Sequence, residues 1–205
     1  MRYINNPTHD LTYDDVFMVP SDSELSSRMD VDLTSNDGSG TTIPIVVANM
    51  TAISGRRMAE TIARRGGIAV IPQDIPHAVV DSVIKWVKTR HTFFDTPITL
   101  NPEQTVADAV SLLFKRAHGA IVIVDDGKPI GIVTEEDCKS VDRFTQLHKV
   151  MSKELITMAD TLDARAAFEF LNFHRHKLAP VVSVNGELVG IMTRIGALRG
   201  TLYSP

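Results

Sequence analysis

The sequence predicts an α/β segment followed by a duplicated α+β unit. Two observations carry this. Between residues 43 and 87, short apolar runs alternate with segments of helical period. Farther on, Gly127–Asp137 (GKPIGIVTEED) returns as Gly186–Gly196 (GELVGIMTRIG). Gly127 answers Gly186, Gly131 answers Gly190 and Thr134 answers Thr193, all at one constant offset. Apolar runs precede both copies, Ala120–Val124 and Pro180–Val184, so each reads strand, tight turn, strand, helix start. A two-residue hairpin requires positive φ, which Asp126-Gly127 and Asn185-Gly186 supply at low cost.

Composition narrows the class. A chain of 205 residues holds one large or two small domains, each able to bury a core. Its 43% hydrophobic content argues against wholesale disorder. A formal net charge of −4 without a long Lys/Arg block argues against nucleic acid as a partner. The single cysteine, Cys138, excludes an intrachain disulfide and suits a reducing cytoplasm. The N-terminus MRYINNPTHD has no apolar signal core, and no apolar run approaches a membrane span.

Residues 1–42 are polar and rich in turns. Asp37-Gly38-Ser39-Gly40 lacks both the glycine spacing and the lysine of a phosphate loop, and reads as a plain turn. Asp14 and Asp15 are adjacent on an extended piece and point apart, which favours a structural role over a paired acid/base site. Ile43–Met50 is a nearly continuous apolar run rich in β-branched residues, the pattern of a strand buried on both faces. Ser54 is placed to cap a helix whose inner face is Met58, Ala59, Ile62 and Ala63, ended by Gly66-Gly67. Ile68–Ile71 is a second strand. Pro76 opens a second helix with Val79, Val80, Val83, Ile84 and Val87 on one face. Two such βα units begin an α/β fold and cannot close a barrel.

The texture changes near His91–Thr96. Pro97–Leu100 is extended. Thr105 with Asp108 forms a capping pair for a helix whose inner face is Val106, Ala109, Val110, Leu113 and Ala117. The first hairpin and a helix starting near Thr134 follow. In the second copy, Leu155–Thr157 is extended, and the next helix presents Leu162, Ala166, Ala167, Phe170 and Leu171. The second hairpin and a short helix toward Arg199 complete it. Neither unit is large enough to bury its own face well, so the two are expected to pack as a pseudo-symmetric pair.

On these residues, 96–200 resemble a tandem pair of CBS domains, a Bateman module. The shared elements are Gly131-Ile132-Val133-Thr134, Gly190-Ile191-Met192-Thr193 and Thr134–Asp137. Residues 10–92 resemble the start of the TIM barrel of the IMP dehydrogenase/GMP reductase family. Leu11–Val16 is similar to its N-terminal motif, and Ala48-Asn49-Met50 to its first-strand substrate segment. The resemblance implies a division into 1–95 (two βα units of the barrel), 96–150 and 151–200 (two CBS domains) and 201–205 (a return toward the barrel). It departs from the family at Thr51, where an Asp is usual, and at Pro72-Gln73, where a His-Lys pair is usual. No segment like the family's catalytic cysteine loop occurs, and Cys138 reads as a structural thiol, so no catalytic residue is expected within this chain.

Several expectations follow from the resemblance. Nucleotide contact falls to Thr99, His118, Ala120, Thr134, Asp137, Thr193 and Arg194, with purine-substrate contact at Asn49 and Met50. In Thr134 and Asp137, a helix cap and a phosphate–ribose contact are alternative readings of the same residues. Gly196 stands where Asp137 stands in the first copy, which removes the diol acceptor there. Arg194 fits either a phosphate contact or a solvated surface. The basic groups Lys115-Arg116 with His118, and His174–Lys177, fit either cations opposing a helix dipole or contact with a polyphosphate tail entering the cleft. An H-x-H metal site lacks supporting ligands, and no metal is expected.

The complete parent enzyme implies NAD or NADP, with none held by this chain. ATP, GTP or AMP is the expected partner of the CBS pair, and a homo-oligomer the expected assembly. The alternatives are a stand-alone nucleotide sensor and an assembly module with a vestigial cleft.

Overall fold

The computed structural model describes residue 4, residues 6–116 and residues 118–202. Ala117, expected on a helix inner face, lies outside the described residues. Among the described residues there are three sheets. The first pairs β1 (Val46–Val47) with β2 (Ile68–Ala69) in parallel. The second, in the order β3-β4-β5, joins β3 (Ile98–Leu100), β4 (Ala120–Asp125) and β5 (Lys128–Thr134). The third repeats that plan with β6 (Met158–Ala159), β7 (Leu178–Val182) and β8 (Leu188–Thr193). In both triads the first pairing is parallel and the second antiparallel.

Helix α1 (Arg56–Ala63) follows β1, and α2 (His77–Lys88) follows β2. In the repeats, α3 (Val106–Leu113) and α5 (Ala164–Phe173) connect the parallel strands, while α4 (Glu135–Cys138) and α6 (Arg194–Leu202) follow the hairpins. Each repeat has its own core. Val106, Ala109, Leu113, Ile121, Ile123, Val133 and Leu147 fill the first. Met158, Ala167, Leu171, Val181, Met192 and Ala197 fill the second, together with Phe94 from the segment before the first repeat.

Local chemistry explains most boundaries. The Thr105 amide and hydroxyl both donate to Asp108 Oδ2, at 2.9 and 2.8 Å, closing the expected cap of α3. Asp163 accepts from the Ala166 amide at the start of α5. That helix ends with Arg175 at φ 57°, while the amides of Arg175 and His176 donate to the carbonyls of Asn172 and Leu171. This is a Schellman closure with arginine in the position that favours glycine.

The two hairpins differ. Asp126 (φ 46°) and Gly127 (φ 74°) form the expected two-residue turn between the paired Asp125 and Lys128. In the second copy only Gly186 (φ 79°) takes positive φ. Ser183 and Glu187 bracket a three-residue loop, with the Gly186 amide donating to the Ser183 carbonyl and the Ser183 amide to the Glu187 carbonyl. Asn185 therefore does not share the left-handed turn expected of it. The extra residue is accommodated as a turn followed by a left-handed glycine.

The α/β segment departs most from expectation. Its strands are short and uncovered, with Ile45, Val46, Ile68 and Val70 all exposed rather than buried on both faces. Among the described residues the two parallel strands pair only with each other. Ser54 does not cap α1. Gly55 holds the cap position, and the buried Ser54 hydroxyl donates to the Val70 carbonyl, tying β1's exit to β2. Of the expected inner face of α1, Ala59 and Ile62 are buried while Met58 and Ala63 are exposed. Val79 and Ile84 of α2, and Val110 of α3, are likewise exposed.

Candidate functional site

Both hairpins end on a threonine followed by a helix. Thr134 closes β5 opposite Ala120 of β4, and Thr193 closes β8 opposite Leu178 of β7. The Thr134 amide and hydroxyl both donate to Asp137 Oδ2 at 2.7 Å. Local capping thus occupies one carboxylate oxygen, and Oδ1 has no partner among the described residues. In the second copy no acid is available. Thr193 Oγ1 instead accepts from the Gly196 amide at 2.9 Å. Thr99 is exposed on β3 and Ala120 fully buried at the start of β4. Arg194 is half-buried at the first position of α6, and its amide donates to the Lys177 carbonyl.

His118 faces another way. Its Nδ1 accepts from the Ala120 amide at 3.4 Å, and its buried Nε2 has no hydrogen-bond partner among the described residues. Burial holds its pKa below the usual histidine value, with Asp95 and the Thr96 backbone opposing that fall. The ring therefore belongs to the junction with the 91–96 linker. Asp14 and Asp15 lie on a short 3-10 turn, where Asp15 accepts from the Thr12 amide and hydroxyl, a capping role. Cys138 is half-buried, and burial raises its pKa, as befits an inert thiol. His174–Lys177 are all exposed beyond the end of α5.

At the other end of the molecule, Asn49 and Met50 follow β1 and are exposed. The Thr51 hydroxyl donates to Asp74, which links the loops after β1 and β2 at the C-terminal ends of the parallel strands. A groove of about 340 Å³ lies elsewhere, between α1, α2 and β2, lined by Ala59, Ala63, Val83 and Val87 among others.

Sequence reading missed one cluster. Glu60 on α1 is buried among the apolar residues of its helix face. Its carboxylate accepts from Arg64 Nη1 at 2.8 Å, from Arg116 Nη2 at 2.7 Å and from the Thr96 hydroxyl. Burial raises its pKa, but Thr96, Arg116 and Arg64 together outweigh burial and hold it below the ordinary carboxylate value. The signal in the sequence was an acid beside Ala59 and Ile62 in an apolar stripe, four residues before Arg64. Nothing in the sequence pointed to Arg116.

The site-bearing architecture is thus a pair of parallel βα units joined to a duplicated α+β pair. The chain belongs to the IMP dehydrogenase / GMP reductase family, whose domain model matches residues 10–186. It is 47% identical to a GMP reductase of Mycobacterium tuberculosis, over 100% of this chain and 43% of that protein. It is 29% identical to an inosine-5'-monophosphate dehydrogenase of Nitrosopumilus maritimus, over 94% of this chain and 41% of that protein.

Among solved structures, GMP reductase from Trypanosoma brucei in complex with guanosine 5'-triphosphate superimposes with a TM-score of 0.63 at 27% identity. That match covers 92% of this chain and 48% of the other. A second structure of the same enzyme, in complex with guanosine 5'-monophosphate, gives the same score over 42% of its chain. The chain thus spans less than half the length of the relatives it matches. The described residues include no helix long and apolar enough to cross a membrane.

Proposed function

We propose that the chain is the N-terminal portion of a purine-nucleotide oxidoreductase whose paired repeat is a tandem CBS module that binds an adenine or guanine nucleotide. The observation that carries this reading is the asymmetry of the two strand ends. Asp137 keeps a free carboxylate oxygen beside Thr134, while Gly196 offers none beside Thr193. A carboxylate accepts from both hydroxyls of a ribose diol, and Oδ1 remains available for that while Oδ2 caps the helix. Support also comes from the Trypanosoma enzyme, whose structures hold guanosine tri- and monophosphate.

The nucleotide sits chiefly in the first repeat, with its sugar at Asp137 and its phosphate near Thr134 and Arg194. The remaining contacts are assigned to Thr99, Ala120 and Thr193, with His118 accepting from the Ala120 amide. The expected ligands are ATP, GTP or AMP, and the working form is a cytoplasmic homo-oligomer. In the whole protein, Asn49 and Met50 would meet the purine substrate, and NAD or NADP would supply the hydride acceptor or donor. The residues present here do not fit a dinucleotide. Asn49 and Met50 are exposed, and the 340 Å³ groove is lined by other residues.

Calorimetric titration with ATP, GTP and AMP tests the reading. A hydrogen bond to a charged partner contributes about 1.5–3 kcal/mol net, so Asp137→Ala weakens binding roughly ten- to a hundred-fold. Wild-type protein that binds none of the three, or an Asp137→Ala variant that binds equally well, would refute it.

A further inference from the structure

The α/β segment and the repeat pair meet through little besides the 89–97 linker and the buried Glu60 cluster. The substantial packing of α1, α2, β1 and β2 is all with one another. At the junction, Glu60 gathers three groups from three parts of the chain. Arg64 caps the end of the same helix, Thr96 comes from the linker and Arg116 from the turn after the first repeat's connecting helix. Arg64 also donates to the His91 carbonyl at 2.9 Å and lies 3.7 Å from Asp95. The linker in turn belongs to the second repeat, because Asp95 exchanges backbone hydrogen bonds of 3.0 and 2.9 Å with Ile191. A single carboxylate thereby holds the α/β segment to both repeats.

Apolar residues in place of the whole ion cluster would satisfy packing at least as well. A buried ion pair is a weak stabiliser against an apolar replacement, and its best-attested use is to select one arrangement over others. The two guanidiniums of Arg64 and Arg116 balance the carboxylates of Glu60 and Asp95, so the cluster is neutral as a whole. A pocket of about 100 Å³ opens beside Glu60, Arg64, Arg90 and His91, which gives water a route to the buried pair.

We propose that Glu60 and Arg116 form a conformational latch. Closed, it fixes one orientation of the repeat pair on the α/β segment. Opened, it leaves the linker as a hinge and each repeat core intact. Hinge and closure motions of this kind turn on a few residues at the ends of elements. The latch does not depend on the nature of any ligand in the repeats.

The distance between the two parts tests it on the full chain. In a Cys138→Ser background, spin labels at Lys85→Cys on α2 and Lys139→Cys after α4 report that distance by pulsed dipolar spectroscopy, with unlabelled chain added to suppress pairs between molecules. Lys85 and Lys139 are both exposed. The closed latch gives a single narrow distance distribution. Glu60→Gln and Arg116→Gln each broaden or shift it, and the double variant looks like either single one, because both remove the same contact. Hydrogen exchange within 120–134 and 178–193 stays as in the parent chain.

An unchanged narrow distribution in both single variants overturns the latch. So does a loss of the cooperative melting transition in all of them, which would make the cluster part of the structural core. Thr96→Val keeps the ion pair and removes one hydroxyl. It preserves the narrow distribution if Arg116 is the working partner.

Discussion

Replacing Gly190 by alanine probes how the linker crosses the second repeat. Gly190 and its counterpart Gly131 both have ordinary negative φ, so neither is glycine for backbone reasons. What they share is a chain passing over them. A Cβ at 190 would lie 2.6 Å from the Phe94 Cβ and 3.3 Å from its Cγ. Phe94 cannot retreat easily. It is 2% exposed, its ring stacks on His91 at 4.3 Å, and the next residue is bonded twice to Ile191.

Overpacking a rigid contact costs about 1–3 kcal/mol. Gly-to-Ala returns about 0.4–1 kcal/mol through the unfolded chain. Gly190→Ala therefore loses between about 0 and 2.6 kcal/mol net, centred on about 1.3, or roughly 3–5 °C in melting temperature at that centre for this chain length. At Gly131 the new Cβ would meet the thioether and Cγ of Met151 first. A methionine side chain moves aside cheaply, so Gly131→Ala comes out within about 1 kcal/mol of neutral. Urea titration followed by circular dichroism compares the two. A Gly131→Ala loss equal to that of Gly190→Ala, or a neutral Gly190→Ala, refutes the assignment of the glycines to unequal crossings.

Arg175→Gly should stabilise the chain by up to about 1 kcal/mol, because it relieves a left-handed arginine at the end of α5; an unchanged or lower urea midpoint counts against it. Stability should fall as pH drops below about 6.5. His118 and His91 have folded pKa values lowered, chiefly by burial. Arg116 and Arg64 add to the lowering, and Asp95 and Asp160 oppose it. The unfolded chain therefore binds more protons between the unfolded and folded values, so the melting temperature at pH 5.5 lies below that at pH 7.5. His118→Gln reduces that slope and leaves the His91 part; a slope left unchanged assigns the effect elsewhere. This chain by itself should show no oxidation of IMP with NAD and no reduction of GMP with NADPH; cofactor absorbance above background in either assay contradicts this.

Features set by neighbours along the chain could be read from the residues alone. The Asp126-Gly127 turn, the Thr105–Asp108 and Thr134–Asp137 caps and the duplicated strand–helix–hairpin order were all readable. Each rests on φ preference or on a hydrogen bond spanning three residues. The family was legible too, from Leu11–Val16 and Ala48-Asn49-Met50, which lie apart from those turns and caps. The second turn shows the limit of local reading, since Asn185-Gly186 has a hairpin composition but a longer loop.

Tertiary structure alone decided the rest. Whether Ile45, Val46 and Ile68 are buried depends on neighbours that two strands cannot provide, so an apolar run by itself did not settle it. Phe94 entering the second core, and Arg116 reaching Glu60 from 56 positions along the chain, are contacts between distant segments that leave no periodic trace. His118 sits in the first repeat as expected, but which way its ring faces was fixed by the linker packed against it. Periodicity and capping chemistry report the one-dimensional neighbourhood of a residue. Burial and charge pairing are properties of the surface that segments far apart in sequence make when they meet.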